Sequence, residues 1–321
     1  MADPLTFLDV RAAAARIAPF AVRTPVLTCA DLDRRIGGQV FLKCENLQRV
    51  GAFKYRGACN ALLQLDAAAL ARGVATHSSG NHAAALARAA RERGAAAHVV
   101  MPNDVSRSKR AAVAGYGARI VDCVPTMAAR SAALAEVVAA TGAVVVHPYE
   151  DHRVMAGQGT AALELLDQAP ELDLLLAPVG GGGLMSGCAV AAHHLRPGLR
   201  AYGVEPSGAD DALRSLRAGA VTPVAEPRTI ADGLRATVGA NTLPILRRHL
   251  ADIVTVDDEA IVRAMRYLWE RTKLIVEPSA AVPVAALLEG LVPCTGRRIG
   301  VIISGGNVDL DALPWSAEVR R

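Results

Sequence analysis

Short apolar strands alternate regularly with helical segments along most of this chain. The predicted strands lie at residues 74–76, 98–101, 119–122, 144–146, 172–179, 201–204 and 299–303. Most of them are continuous apolar runs instead of apolar at every second residue, which indicates that both faces of each sheet are covered. A strand–helix–strand order also requires parallel neighbours joined by helices. The pattern therefore predicts an α/β fold with mostly parallel sheets covered by helices.

The domain organisation follows from a break in this alternation. The length of 321 residues fits two domains or one large α/β domain. His147-Pro148 interrupts the pattern, so we expect a small inserted α/β domain at residues 47–148. The larger domain would then consist of residues 1–46 and 149–321. Near the start, Thr6 and Asp9 have capping-box spacing and predict a helix that continues to about Ile17.

Composition argues against several classes of protein. Hydrophobic residues make up 52% of the chain and charged residues 21%, which supports a large core and excludes general disorder. The net charge is +4, the cations are scattered arginines, and aromatic residues make up only 3%, so we expect no nucleic-acid binding. The six cysteines form no C-x-x-C pair, which favours free thiols in a reducing cytoplasm.

One apolar stretch, residues 174–192, carries no charge and approaches the length of a membrane-spanning helix. Pro178 and the run Gly180–Gly183 interrupt it, and such a break would leave backbone polar groups unsatisfied in lipid. We therefore predict a buried strand, a glycine loop and a buried helix, with no membrane association. The first residues also lack the pattern of a secretory signal.

Lysine is rare in this chain, which contains only Lys43, Lys54, Lys109 and Lys273. Because arginine is the ordinary cation here, a lysine can indicate chemistry that needs an amine able to lose its proton, above all Schiff-base formation. Lys54 lies between a glycine-containing turn and a predicted helix start, in Gly51-Ala52-Phe53-Lys54-Tyr55-Arg56-Gly57-Ala58. On this stretch alone, an ordinary lysine on the helix surface remains the better interpretation.

Three polar, glycine-rich turns follow predicted strands, at the sheet edge where open α/β folds bind ligands. Residues 77–82 suit an anion such as a carboxylate at a helix N-terminus, or a simple Ser/Asn helix cap. Residues 178–184 contain four glycines that let backbone amides approach a phosphate, or they form a flexible hinge. Residues 304–309 place Ser304 at the end of the last strand, or form an ordinary turn.

Taken together, an amine, a carboxylate-binding turn, a phosphate-binding loop and a hydroxyl suit pyridoxal phosphate with an amino-acid substrate. The glycine run lacks the spacing of a dinucleotide fingerprint, and no Gly-Lys-Ser/Thr of a Walker loop follows it. No G-x-S-x-G nucleophile elbow is present either. These absences disfavour hydride transfer, nucleotide hydrolysis and Ser-His-Asp hydrolysis.

With these motifs in order, the chain resembles the fold-type II pyridoxal-phosphate enzymes, specifically the serine/threonine dehydratase family and its serine-racemase-like members. The resemblance covers nearly the whole chain and implies two sheets with the cofactor in the cleft between domains, a small-molecule substrate and a homodimer. Besides residues 51–58, 78–82, 180–183 and 304–307, it rests on three segments: Ala156-Gly157-Gln158-Gly159-Thr160, Glu205-Pro206-Ser207 and Ile230-Ala231-Asp232-Gly233.

The resemblance implies a role for each matching residue. Lys54 and Ser79 would be the catalytic pair, with Lys54 forming the Schiff base and the two side chains serving opposite faces of the α-carbon. The cofactor would be held by Phe53, Lys54, Asn81, Gly180, Gly181, Gly182, Gly183, Leu184 and Ser304. The substrate would be held by Ser78, Ser79, Gly80, Asn81, His82, Arg130 and His147.

A divalent cation is also implied by the resemblance. Glu205, the carbonyl of Ala209 and Asp211 match a Mg²⁺ or Ca²⁺ site of the family, and hard oxygen ligands suit such ions. The alternative is that the two carboxylates only satisfy backbone groups at a strand end and a helix start.

The activity implied is elimination from a β-hydroxy amino acid, L-serine or L-threonine, to give a 2-oxo acid and ammonia, with racemisation as a side activity. Two departures from the family pattern, Tyr149 and Ala236, remove polar groups expected near a serine side chain. Arg130, Arg235 and His147 could instead bind a second carboxylate, as in threo- or erythro-3-hydroxyaspartate, or the arginines could form ordinary surface salt bridges. Serine racemisation as the main activity, β-replacement and a non-catalytic binding protein also remain open.

Overall fold

The computed structural model describes residues 5–105 and 107–315, apart from the side chains of residues 107 and 108. In chain order the strands are β1 (Val26–Leu27), β2 (Gln39–Cys44), β3 (Val74–His77), β4 (Ala97–Pro102), β5 (Arg119–Cys123), β6 (Val144–Val145), β7 (Leu174–Pro178), β8 (Arg200–Pro206), β9 (Leu250–Val256) and β10 (Arg298–Ile303). They form two sheets, as the predicted fold class requires.

The helices of the described residues connect and cover these strands. They are α1 (Phe7–Ile17), α2 (Ala30–Ile36), α3 (Lys54–Leu62), α4 (Ala67–Arg72), α5 (Asn81–Glu92), α6 (Arg107–Gly115), α7 (Met127–Thr141), α8 (His152–Gln168), α9 (Gly183–Leu195), α10 (Asp211–Ala218), α11 (Leu243–His249), α12 (Asp258–Thr272) and α13 (Pro278–Leu288). The predicted capping box is present, because Thr6 Oγ1 accepts the Asp9 N–H and the Asp9 carboxylate accepts the Thr6 N–H.

The larger sheet has six strands in the order β1–β2–β10–β7–β8–β9. Only β1 and β2 pair antiparallel, and the other neighbours are parallel. The smaller sheet has four parallel strands in the order β5–β4–β3–β6, all between residues 74 and 145. We call the smaller sheet with α4 to α7 the small lobe and the larger sheet with its helices the large lobe.

Both faces of the larger sheet are buried, as the continuous apolar strands predict. Along β7, Leu174 and Leu176 pack into a core formed with α2, α12 and α13. The alternate residues Leu175 and Ala177 pack into a second core formed with α1, α8, α9 and α11. Complete burial of each leucine side chain contributes about 2 kcal/mol of hydrophobic free energy. The sheet is therefore fixed between two helical layers.

The uncharged stretch at residues 174–192 has the predicted form of strand, glycine loop and helix. Strand β7 ends at Pro178, and α9 begins at Gly183. In the described part of the chain, no helix is long and apolar enough to cross a membrane.

Several boundaries differ from the predictions. Helix α8 begins at His152, five residues before the predicted start, because the Asp151 side chain caps it by accepting the Arg153 N–H. The helix expected from about Ser106 begins at Arg107, and Ser106 itself lies outside the described residues. Helix α10 begins at Asp211 instead of Ala209, because residues 207–209 form a 3-10 turn.

Candidate active site

Lys54 is the first residue of α3 and lies at the junction of the two lobes. Its Nζ donates a hydrogen bond to the carbonyl oxygen of Pro148 at 2.9 Å, and it lies 5.0 Å from the centre of the Phe53 ring. Burial lowers the pKa of the Lys54 amine to about 8, although the negative charge of Glu277 works in the opposite direction. An amine with this pKa is available in its neutral, nucleophilic form near neutral pH.

Helix α3 is packed closely against α8. A Cβ atom on Gly157 would lie 2.6 Å from the Arg56 carbonyl oxygen and 2.6 Å from Gly57 Cα, so the two backbones lie too close together to admit a side chain without a shift. The N–H of Gly57 donates to Gln158 Oε1 at 3.1 Å. The segment Ala156–Thr160 therefore packs directly against α3, the helix that carries Lys54.

A network of buried charged side chains also holds α3 in place. Arg56 has no exposed surface and donates to both carboxylate oxygens of Glu45, at 2.7 and 2.8 Å, and to both oxygens of Glu164, at 2.8 Å each. Lys43, also fully buried, donates to Glu164 at 2.6 Å. Because the guanidinium donates to both oxygens of two carboxylates, it is held in one orientation, and this fixes the first turn of α3.

The glycine loop, residues 180–184, presents a row of free backbone N–H groups. Among the described residues, none of these five amides donates to an acceptor. Cβ atoms at Gly181 and Gly183 would lie 2.4 and 2.9 Å from atoms of Tyr149, so the tyrosine lies directly against the loop. Unpartnered amides at the start of α9 are suited to a phosphate.

The turn between β3 and α5 presents a second set of amides. Ser78 Oγ accepts the Gly80 N–H at 3.4 Å, whereas the N–H groups of Ser79, Asn81 and His82 donate to no described acceptor. The His82 side chain points elsewhere, with its Nε2 3.0 Å from the Val146 carbonyl oxygen, and burial lowers its pKa to about 3. The backbone N–H of His82 is free to meet a substrate carboxylate, and its buried ring Nδ1 also has no hydrogen-bond partner among the described residues.

Asn81 is held by two residues of the large lobe. Its Nδ2 donates to both oxygens of Glu277, at 2.8 and 3.1 Å, and its Oδ1 accepts from Asn307 at 2.8 Å. Burial raises the pKa of Glu277 to about 7, while the Asn81 hydrogen bond works against this rise. Asn81 therefore joins the lobes through a carboxyl group that titrates near neutral pH.

Ser304 is buried at the end of β10, beside the lysine segment. Its carbonyl oxygen accepts the Phe53 N–H at 3.0 Å, and Ala52 forms an isolated β-bridge with Gly305. These contacts join the last predicted turn to the lysine segment, while the other two turns follow the carboxyl ends of β3 and β7.

Arg130 and two histidines line the side of the site in the small lobe. The His77 and His147 rings lie 5.7 Å apart edge to face, and burial followed by the charge of Arg130 lowers the pKa of His77. Burial lowers the pKa of His147 to about 4, and its Nδ1 accepts the Glu150 N–H at 3.0 Å. Both histidines are neutral at pH 7, so Arg130 is the fixed cation of this group.

Arg130 and Arg235, the two arginines expected to bind a second carboxylate, differ in their hydrogen-bond partners. Arg130 makes no ion pair with a described residue, and its buried Nε has no hydrogen-bond partner there. Arg235 is exposed and instead donates from Nε and Nη2 to the Thr229 carbonyl oxygen, at 3.0 and 2.5 Å. Two N–H groups of its guanidinium are thus engaged by its own loop, whereas the buried Nε of Arg130 has no such partner.

A family model described as pyridoxal-phosphate dependent enzyme matches residues 17–305 of the chain. The chain belongs to this family. The pyridoxal-phosphate enzyme is 46% identical over 311 residues to the β-hydroxyaspartate dehydratase of Paracoccus denitrificans (strain Pd 1222), covering 97% of this chain and 99% of that protein. It is 46% identical over 315 residues to the serine racemase of Arabidopsis thaliana, covering 97% and 95%.

Solved structures of the same family share its architecture. A threonine deaminase from T.th. superposes with a TM-score of 0.90 at 44% identity, covering 95% of this chain and 99% of that one. The prediction of a fold-type II enzyme of the serine/threonine dehydratase family, similar to serine racemases, is confirmed. The lysine amine and the free amides of the glycine loop fit the cofactor named by the family.

The implied cation ligands of the pyridoxal-phosphate enzyme lie together at the end of β8. Glu205 accepts the N–H groups of Ala212 and Leu213 at 3.1 and 2.8 Å, and Asp211 accepts the Val238 N–H at 2.6 Å. Burial, with the nearby Asp211 charge, raises the pKa of Glu205 to about 9, and burial raises that of Asp211 to about 6.

Neither of these two carboxylates makes an ion pair with a described lysine or arginine. The described residues also contain no group of three or more His, Cys, Asp or Glu side chains arranged to hold a metal. Both carboxylates already accept backbone N–H groups, as the alternative without a metal requires, while their oxygen atoms are also the ligand type that Mg²⁺ or Ca²⁺ prefers.

Several residues of the enzyme's site were missed from the sequence. Glu277 precedes Pro278 at the start of α13, where an acidic residue is typical of an ordinary helix N-cap. Its side chain caps nothing and turns to Asn81 instead. Arg56 lies within the lysine segment and Glu164 lies beyond the segment Ala156–Thr160, but no local pattern indicates that the two side chains meet.

Proposed function

We propose that the protein is a pyridoxal-phosphate-dependent ammonia-lyase that converts a β-hydroxy amino acid to a 2-oxo acid and ammonia. The observation that carries this proposal is Lys54, a partly buried amine with a lowered pKa in a fold that also presents two sets of unpartnered backbone amides. A binding protein would need the amides but not an amine tuned in this way.

Pyridoxal phosphate, when bound, supplies an electron sink conjugated with the α-carbon of the substrate. The amides of residues 180–184 would hold its phosphate, and Phe53 and Ser304 would flank its ring. A neutral hydroxyl such as that of Ser304 does not force a proton onto the ring nitrogen. The sink is then weaker, which favours prompt loss of the β-hydroxyl group over a long-lived carbanion.

The chain's own groups would handle the substrate and its protons. The N–H groups of Ser79, Asn81 and His82 would bind the α-carboxylate at the start of α5, where the helix dipole also favours an anion. Lys54, once free, would take the proton from one face of the α-carbon, and Ser79 would serve the other face. Departure of the β-hydroxyl leaves an enamine, which hydrolyses to the 2-oxo acid and ammonia.

For the substrate we favour 3-hydroxyaspartate over L-serine and L-threonine. A second carboxylate needs a cation, and Arg130 is a half-buried guanidinium without an ion-pair partner among the described residues, beside two neutral histidines. Serine and threonine would leave that charge unpaired, which is costly in a partly buried site. The similarity to a β-hydroxyaspartate dehydratase supports this choice, and the similarity to a serine racemase and a threonine deaminase keeps both smaller substrates as the second candidate.

The remaining assignments are also proposals. The acid pair Glu205 and Asp211 would bind Mg²⁺ or Ca²⁺ with the Ala209 carbonyl. The enzyme would act in the reducing cytoplasm, in keeping with its six free cysteines. It would form a homodimer, as the resemblance to its family implies. Racemisation would be a side activity, because it needs the same pair of groups on opposite faces of the α-carbon.

The test is an assay of 2-oxo acid formation with L-serine, L-threonine and the stereoisomers of 3-hydroxyaspartate. With wild-type enzyme we expect the highest kcat/KM for a 3-hydroxyaspartate. Arg130→Met should raise KM for that substrate by about 10- to 100-fold, the usual value of a charge-assisted hydrogen bond, and change serine turnover by less than about threefold.

Arg119→Met, which removes an exposed arginine from β5, is the matched control and should leave both substrates unchanged. Faster turnover of serine or threonine than of every 3-hydroxyaspartate would reject the substrate choice. A protein that remains colourless after incubation with pyridoxal phosphate would reject the function itself.

A further inference from the structure

Thr242 lies just before α11, fully buried against the glycine loop. Its Oγ1 accepts the N–H of Gly239 at 2.9 Å and has two carbonyl acceptors in reach, the nearer that of Gly181 at 2.8 Å and the farther that of Gly239 at 3.1 Å. The Gly239 N–H also lies 3.3 Å from the same Gly181 oxygen. The hydroxyl of Thr242 therefore fixes the direction of one peptide unit within the loop.

This direction determines where the next amide points. In a trans peptide, the C=O of one residue and the N–H of the next point in opposite directions. Because Thr242 holds the Gly181 carbonyl towards itself, the N–H of Gly182 is directed away from Thr242. That N–H is one of the five loop amides without an acceptor among the described residues.

The loop is held between two side chains. Gly182 has φ of +88°, and a Cβ atom there would lie 2.7 Å from Thr242 Oγ1. On Gly181, a Cβ atom would lie 2.4 Å from the Tyr149 ring. Thr242 lies against Gly182, and Tyr149 lies against Gly181. The peptide that joins these two glycines can therefore rotate freely only if the Thr242 hydrogen bond is lost.

We propose that Thr242 is a positioning residue for the cofactor phosphate: its hydroxyl holds the Gly181 carbonyl back and so presents the Gly182 N–H to the phosphate. This inference rests on the proposed function, since it requires pyridoxal phosphate in the site. Thr242 touches neither cofactor nor substrate, and it acts only through the loop.

Removal of the hydroxyl should loosen this peptide without changing the volume of the side chain. In Thr242→Val the Gly181 carbonyl keeps only the longer contact with Gly239, so the Gly182 N–H is no longer held in one direction. We expect the holoenzyme to lose pyridoxal phosphate about tenfold faster, which corresponds to one neutral hydrogen bond. Thr242→Ser keeps the hydroxyl and should restore the wild-type rate.

The experiment follows the bleaching of the bound-cofactor absorbance after dilution of holoenzyme into a phosphatase that destroys released pyridoxal phosphate. The ³¹P NMR resonance of the bound phosphate is recorded for each variant, and it should shift in Thr242→Val and not in Thr242→Ser. Thr272→Val is the matched control, because Thr272 also donates to a backbone carbonyl, that of Leu268, but lies at the end of α12.

The outcomes separate this inference from the proposed function. If Thr242→Val leaves both the rate of cofactor loss and the ³¹P resonance unchanged, the role of Thr242 is overturned but the proposed function is not. Equal effects of Thr242→Val and Thr272→Val would have the same meaning. A wild-type protein that binds no pyridoxal phosphate would overturn the proposed function as well. If Thr242→Val fails to fold, Thr242→Cys, a weaker donor of similar size, should lose the cofactor at an intermediate rate, and a wild-type rate there would contradict the inference.

Discussion

The amine of Lys54 donates a hydrogen bond to the carbonyl oxygen of Pro148, at 2.9 Å, where the chain leaves the small lobe. A carbonyl accepts a hydrogen bond from either protonation state of the amine, so this contact orients Lys54 without forcing it to stay charged. Desolvation then lowers its pKa to about 8. The nucleophile is held in place and partly deprotonated before any ligand arrives.

Capture of pyridoxal phosphate by the apoprotein should therefore depend on pH in a defined direction. About a tenth of an amine with pKa 8 is neutral at pH 7, against less than about a thousandth for an ordinary lysine. We expect the capture rate to rise with pH up to about 8 and then to level off, measured by stopped-flow absorbance. Lys54→Ala should form no borohydride-reducible yellow product, and a rate still rising steeply beyond pH 10 would contradict the lowered pKa.

Ser79→Ala should act on one configuration of the substrate. Since Lys54 and Ser79 are proposed to serve opposite faces of the α-carbon, loss of the hydroxyl should slow one enantiomer by about 100-fold or more and spare the other. Oxo-acid formation from both enantiomers measures this. Ser78→Ala, which removes a neighbouring hydroxyl that accepts the Gly80 N–H, should slow both enantiomers alike. Equal losses in Ser79→Ala would argue against two bases.

Lys109→Met should weaken closure of the cleft. Lys109 of α6 forms an ion pair with Asp232 of the large lobe, and both side chains are more than a third exposed. Because exposed pairs contribute at most about 1 kcal/mol, we expect KM to rise only about two- to fivefold, and the difference to shrink at high salt.

The neighbouring residue provides the control for this variant. Arg110 pairs with Asp122 inside the small lobe, so Arg110→Met removes a similar charge without affecting contacts between lobes. Steady-state kinetics at low and high salt should show no change in KM for this variant. The same KM for Lys109→Met and wild type would mean that the ion pair does not contribute to closure.

Arg56→Met should be the most destabilising of these changes. It leaves the carboxylates of Glu45 and Glu164 buried with fewer partners, and breaking a buried charge network in this way costs about 3–5 kcal/mol. Urea unfolding at a fixed cofactor concentration measures the difference. Arg23→Met breaks an exposed pair with Asp167 and should change the free energy of unfolding by less than about 1 kcal/mol. Similar losses in the two variants would show that the buried network is not critical.

The sequence was most informative where chemistry follows from local pattern. The strand–helix alternation predicted parallel sheets, and the three glycine-rich turns it placed after strands do follow β3, β7 and β10. Helices α2, α4 and α11 and the edge strand β9 were not predicted. Helix α2 follows Cys29 without a side-chain cap, and α11 has only seven residues, so tertiary packing defines them more than local signals do.

Partners distant in sequence could not be inferred from local patterns. Glu277 meets Asn81 across the cleft, and Thr242 meets Gly181 from a different part of the large lobe. Arg235 had the right charge to bind a carboxylate but is occupied by its own backbone, whereas Arg130 is not. Charge type is visible in a sequence, but whether a charge is already satisfied depends on the fold.

The position of β10 has a consequence for the order in which this protein assembles during synthesis. The four strands of the small lobe are contiguous in the chain and can pair as soon as residue 145 has left the ribosome. Strand β10 is the last strand in the described residues, yet it lies between β2 and β7 in the middle of the larger sheet. Until it is made, β2 and β7 have no common neighbour, and the apolar faces on either side of them stay exposed. The large lobe must therefore close late around a non-local contact, which is the slow and aggregation-prone step of folding.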